Sequence, residues 1–110
     1  MSPALDMRKG STTVLVLTLL AERPMYGYQL VKELEQRSGG YFNLKEGTLY
    51  PALHRLEKDG LVRSEWEETA QGPARKYYHL TEKGRQALAK SAEEWGTFAR
   101  KLLSVLDSAS

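Results

Sequence analysis

The stretch after Thr81 sets the terms for everything before it. Leu88, Ala92, Trp95, Ala99, Leu102 and Leu106 recur at spacings of four, three, four, three and four, the repeat that holds an apolar stripe on one side of a helix. Thr81 is suited to cap that helix and Glu82 to sit at its positive end, so the pattern predicts about seven turns, reaching to about Leu106. A chain of 110 residues builds one modest core and not two. A stripe this long exceeds what so small a body can cover and reads as a coiled-coil seam. These six residues are predicted to meet a second copy, making the protein a homodimer.

Residues 12–21, TTVLVLTLLA, form a nearly unbroken apolar run, compatible with a buried strand or with a helix apolar on most of its circumference. Ser11 as a cap, the leucine content and the stop at Glu22-Arg23-Pro24 favour the helix. Such a helix needs cover on more than one side, a further pointer to a dimer.

A second helix is predicted from Tyr26 to Arg37 with Tyr26, Leu30, Val31 and Leu34 inward, ending at Ser38-Gly39-Gly40. A third begins near Lys45 or Glu46, buries Leu49, Leu53 and Leu56, and closes at Gly60, after which Leu61 folds back. Pro51 lies about a turn inside it and predicts a mild irregularity. Residues 61–69 roughly alternate, Gln71-Gly72-Pro73 marks a turn, and residues 75–80 are aromatic-rich, which together predict a two-stranded hairpin. The first few residues and Asp107 to Ser110 read as frayed ends.

The fold class is therefore α+β, mostly α. Three helices, a hairpin and a long helix are the element order of a winged helix-turn-helix with an appended dimerisation helix. Residues 1–80 would be the DNA-binding domain and residues 81–110 the C-terminal dimerisation helix, in one compact unit.

Several function classes drop out. No window holds the roughly eighteen apolar residues of a membrane span, and no secretory pattern opens the chain, so a cytoplasmic protein away from membranes is expected. Cysteine is absent and there are only two histidines, His54 and His79, which leaves no thiolate or zinc set and predicts no metal and no cofactor. No Ser/His/Asp arrangement, phosphate loop or acid/base pair appears, so the chain is not expected to be an enzyme.

The net charge of +2 is too small to argue by itself, but its placement is informative. With Leu49, Leu53 and Leu56 inward, the third helix turns Gly47, Pro51, His54 and Lys58 outward, flanked by Thr48, Tyr50 and Arg55. A major groove accepts a donor-rich, non-acidic helix face of this kind. Thr48, Tyr50 and His54 are candidates to read bases; Lys45 and Arg55 are candidates to anchor phosphates. The residues from Gln71 to Lys76 put Arg75 and Lys76 on a protruding hairpin loop, suited to a phosphate or a narrow minor groove. A winged-helix protein-interaction module without sequence-specific DNA binding is the alternative, and Lys45, Arg55, Arg75 and Lys76 discriminate the two.

Tyr26-Gly27-Tyr28, Gly47-Thr48-Leu49-Tyr50-Pro51-Ala52-Leu53, Arg55-Leu56-Glu57-Lys58-Asp59-Gly60-Leu61 and Arg75-Lys76-Tyr77-Tyr78 leading into Leu80-Thr81 resemble the PadR-like family of transcriptional regulators. The resemblance implies a homodimeric repressor on a roughly palindromic double-stranded DNA operator, with one recognition helix per subunit in the major groove. It adds Tyr26 and Gly47 to the DNA-binding candidates. A chain ending about one long helix after the wing looks like the short subfamily that includes multidrug-sensing regulators. In those relatives a tryptophan matching Trp95 sits at the dimer centre, which implies an aromatic small-molecule effector stacked there and lined by Thr13, Val14, Thr18, Ala92 and Ala99. Trp95 as plain interface packing remains the alternative. Ala99-Arg100 stands where drug-binding relatives can carry an acidic residue, so an Arg100 that reaches the site would favour an anionic aromatic instead of a cationic one; a solvated charge beside Lys101 is the alternative.

Overall fold

The computed structural model describes residues 3–109, with side chains described from Gly10 onward. The expected fraying of Met1, Ser2 and Ser110 lies outside the described residues. The first helix, α1 (Pro3–Glu22), starts well before Ser11. Pro3 suits the first helical position because its missing N–H would be unpaired there anyway. Ser11 is therefore no cap: it is buried inside α1, as is Thr12. Val16, Leu17, Leu19 and Leu20 are 1–3% exposed, so the apolar run is the central helix of the body.

After Pro24, Met25–Tyr26 form a two-residue strand, β1, and α2 (Gly27–Arg37) follows directly. Tyr26 is thus the N-cap of α2 and not its first apolar position, and its N–H is taken by Gln29 Oε1 at 3.1 Å. Leu30 and Leu34 are buried. Gly39 and Gly40 have φ of 60° and 85°, and their N–H groups bond to Gln36 and Glu35 carbonyls at 3.3 and 2.8 Å, a Schellman closure. Ser38 Oγ then accepts from Phe42 N–H at 2.8 Å, fixing the turn into α3 (Glu46–Lys58).

Leu49, Ala52, Leu53 and Leu56 of α3 are buried, and the helix runs unbroken through Pro51. It too ends in a Schellman closure: Gly60 has φ of 78°, with Gly60 N–H on Glu57 O at 3.0 Å and Leu61 N–H on Leu56 O at 2.9 Å. Strand β2 (Val62–Thr69) and strand β3 (Gly72–Leu80) make the hairpin, and β1 pairs β3 through Met25↔Tyr78 and Tyr26↔Tyr77, giving an antiparallel sheet in the order β1-β3-β2. The turn is Ala70-Gln71, earlier than expected, and Pro73 lies within β3. Proline is tolerated there because β1 reaches only Tyr77 and Tyr78, so β3 has a single neighbour at Pro73.

The last helix, α4 (Glu82–Ser108), continues through Asp107 and Ser108, which are helical and not frayed. Thr81 caps it by accepting from Gly84 N–H at 3.0 Å while donating to Gly60 O at 2.7 Å. A Cβ on Gly84 would lie 2.1 Å from Leu61 O, so only glycine lets α4 pass this close to the end of α3. Leu88, predicted for the dimer seam, is half-buried against its own core. Past Trp95 and Gly96, every described residue of α4 is exposed.

The end of α1 is tied to α2 by charge. Arg37 donates to both carboxylate oxygens of Glu22, at 2.5 and 2.6 Å, and to Glu33 at 3.2 Å, while Arg23 donates to Glu33 at 3.3 Å. The hydrogen bonds from Arg37 hold the Glu22 carboxyl below its ordinary pKa.

Candidate nucleic-acid interface

α2 and strand β2 of the hairpin each pack against α3. On α3 the predicted Gly47, Thr48, Tyr50, His54 and Arg55 are all exposed, together with Pro51, Lys58 and the N-cap Lys45. The one carboxylate in the second half of the helix, Glu57, turns away from this face and accepts from Ser64 Oγ at 2.5 Å. The outward face is thus left with Glu46 as its only acid, in the first turn.

Tyr50 is less free than its position suggests. A Cβ on Gly27 would fall 2.4 Å from the Tyr50 hydroxyl oxygen and 2.8 Å from Cζ, so the phenol tip rests on the start of α2. The residue as a whole remains 44% exposed. Gly27 and Tyr50, apart in sequence, act as one contact between the two helices.

The hairpin corrects a prediction. Arg75 and Lys76 are not on the turn but within β3, opposite Glu67 and Trp66 of β2. Strand alternation sends them to opposite faces of the sheet. Lys76 shares a face with Tyr78, its Nζ 5.7 Å from that ring; Arg75 shares the other with Tyr77 and Tyr26. Burial raises the Tyr78 phenol above its ordinary pKa.

Two groups of exposed residues escaped the sequence reading. Trp66 shares a strand face with Val62, which is buried, yet it is 70% exposed because the hairpin extends beyond the core at that point. Tyr28, with Lys32 Nζ 5.7 Å from its ring, stands out from α2.

The predicted effector residues fall on α1 and α4, which pack together. Trp95 is half-buried, with Cη2 and Cζ2 3.9 Å from where a Cβ on Gly10 would be, and its ring meets Phe98 edge-on at 6.1 Å. Thr13 and Val14 are half-buried, whereas Thr18, Ala92 and Ala99 are exposed. Thr18 Oγ1 donates to Val14 O at 2.6 Å. Arg100 lies over Gly96 and donates to Thr97 Oγ1 at 3.4 Å. An open groove on α4 is lined by Lys90, Glu93, Glu94, Thr97 and Phe98 and so by none of the predicted effector residues.

Comparison with known proteins resolves what kind of protein carries this surface. The family model described as the transcriptional regulator PadR-like family matches residues 16–90. This chain belongs to that family. A transcriptional regulator of Mycobacterium tuberculosis is 34% identical over 98 residues, covering 89% of this chain and 88% of that one. The solved structure of a PadR-like transcriptional regulator from Bacillus cereus superposes with a TM-score of 0.81 at 32% identity, over 92% of this chain and 96% of that chain. The negative transcriptional regulator PadR of Bacillus subtilis is 29% identical over 75 residues, which span 66% of this chain and 40% of that protein. PadR-like regulators bind DNA and are transcriptional regulators, not enzymes, and the fold is a winged helix with a long C-terminal helix. Among the described residues no helix is long and apolar enough to cross a membrane.

Proposed function

We propose that this PadR-like regulator is a homodimeric repressor that occupies a palindromic double-stranded operator, one α3 per half-site. The observation that carries the reading is the outer face of α3: Thr48, His54, Arg55 and Lys58 are exposed together while Glu57 is turned inward onto Ser64. His54 and Thr48 have the donors and acceptors to read base edges, and Lys45 and Arg55 supply charge for phosphates. Tyr50, braced on Gly27, presents its ring more than its hydroxyl. Repression is supported by the name of the Bacillus subtilis relative, a negative regulator.

The second copy is supported by α4. Phe98, Leu102, Leu103, Val105 and Leu106 are 41–67% exposed, an apolar surface that a partner helix would bury. Trp95, half-open beside Phe98, is the proposed seat of an aromatic effector, with Thr13, Val14, Thr18, Ala92 and Ala99 as its proposed lining, and Arg100 would favour an anionic one.

The test is selection of genomic fragments by the purified protein at physiological salt. Enrichment of a few inverted repeats is expected, and its absence, with a flat salt-sensitive profile, overturns the operator reading. Titration of phenolic acids against tryptophan fluorescence tests the effector, and an unchanged spectrum removes it.

A further inference from the structure

Arg75 is held by a phenol, whereas Arg23, Arg37 and Arg63 are held by carboxylates. Its Nη1 donates to Tyr26 Oη at 2.9 Å, and its guanidinium carbon lies 4.5 Å from the Tyr26 ring centroid. Tyr26 is itself fixed by backbone pairing with Tyr77, by its N–H on Gln29, and by edge-on contact with the Tyr77 ring at 5.3 Å. By contrast, Arg23, Arg37 and Arg63 each ion-pair with a glutamate. Arg75 stands directly across the strands from Glu67, yet no carboxylate pairs with it among the described residues.

A carboxylate that fixes a guanidinium also cancels its charge. A phenol fixes it through stacking and one hydrogen bond and leaves the charge whole, with four of the five N–H donors free. That arrangement suits a cation whose partner is an anion still to arrive. We propose that Tyr26 is a positioning residue for DNA binding, which presets Arg75 toward a backbone phosphate and does not itself touch the DNA. The inference rests on the reading of the wing as a DNA contact. Because Tyr26 also caps α2, it ties the wing cation to the helix-turn-helix, so both meet the duplex in a fixed relation.

The test is a double-mutant cycle on the full chain, with Tyr26→Phe, Arg75→Ala and the pair, binding mixed-sequence duplex DNA over a range of salt concentrations. Arg75→Ala is expected to weaken binding about tenfold and to reduce the slope of log affinity against log salt by about one. Tyr26→Phe is expected to weaken binding about threefold, the effect of losing one hydrogen bond, with the slope unchanged and no further loss in the Arg75→Ala background. Arg75→Lys, which keeps the charge and leaves Tyr26 intact, should reproduce the Tyr26→Phe result if the clasp is what matters. Equal losses from Tyr26→Phe with and without Arg75 would mean that the phenol contacts DNA directly, and would overturn the proposal. So would a Tyr26→Phe protein that binds like the parent. A parent protein without salt-sensitive DNA binding would instead bring down the DNA reading beneath it.

Discussion

α3 and the end of α4 both turn a face to water, and the two faces are opposite in kind. On α3 the exposed side is Thr48, His54, Arg55 and Lys58, groups that water solvates well, so the fold gains nothing by covering them. On α4 the residues exposed from Phe98 onward include Phe98, Leu102, Leu103, Val105 and Leu106, and each of these side chains forgoes part of the roughly 1.5–3 kcal/mol that full burial would return. The polar face stays uncovered without cost to the fold. The apolar face is a deficit in the fold itself, and only another apolar surface removes it. Exposure alone therefore says little; its chemistry separates a recognition surface from an assembly surface.

The boundary between the two regimes lies within α4. Its first turns belong to the body through Gly84 against Leu61 O and Leu88 against the core. Gly84→Ala should give the largest effect: a Cβ 2.1 Å from a backbone oxygen and 2.6 Å from Leu80 Cδ1 forces α4 off its seat, with an expected loss of about 3 kcal/mol or more. Thermal unfolding measures it. A midpoint near that of the parent would mean that α4 is not anchored there and would erase the boundary.

Within the body, Leu53→Ala removes a side chain with no exposure and should lower stability by about 2–5 kcal/mol at every protein concentration. Leu106→Ala, at 58% exposure, should act differently. A self-association surface there predicts a small change at low concentration and a growing one where copies meet, because dimerisation stabilises by mass action. Denaturation at several concentrations with sedimentation on both variants separates the cases. If Leu106→Ala changes neither midpoint nor association, the stripe is ordinary surface.

How much of this was legible in the sequence depended on whether the signal was periodic. Leu49, Leu53 and Leu56, the left-handed closure at Gly60 and the Thr81 cap each follow from a local rule that the fold obeys. The start of α1 was misread because Gly10-Ser11 has the composition of a helix boundary, although in the fold Gly10 is where Trp95 approaches. β1 is too short to carry alternation, and it exists only because β3 is there to pair it. Arg75 and Lys76 were assigned to a loop because Gly72-Pro73 resembles a turn; β3 tolerates the proline where it has one neighbour. The partners of Tyr26 and Tyr50, namely Arg75 and Gly27, lie far away in sequence, so no local pattern encodes them.

The smallest expected effect returns to the charges of the body. Glu22 is exposed, and its bidentate bond from Arg37 depresses its pKa. A carboxyl depressed in the folded state contributes stability above its unfolded pKa and loses that contribution as pH falls through the lowered folded value. The Glu22–Arg37 tie between α1 and α2 is therefore intact at neutral pH and disappears only below the usual carboxylate range. Glu22→Gln should lower the thermal midpoint slightly at neutral pH and leave it equal to the parent's in strong acid, where both side chains are uncharged. Because Arg37 keeps Glu33 as a partner, the same substitution should leave DNA affinity and its salt slope unchanged, unlike any change at Arg75. A Glu22→Gln protein with altered salt slope would mean that Arg37, once released from Glu22, reaches the duplex, and that its carboxylate partner is what withholds it in the parent.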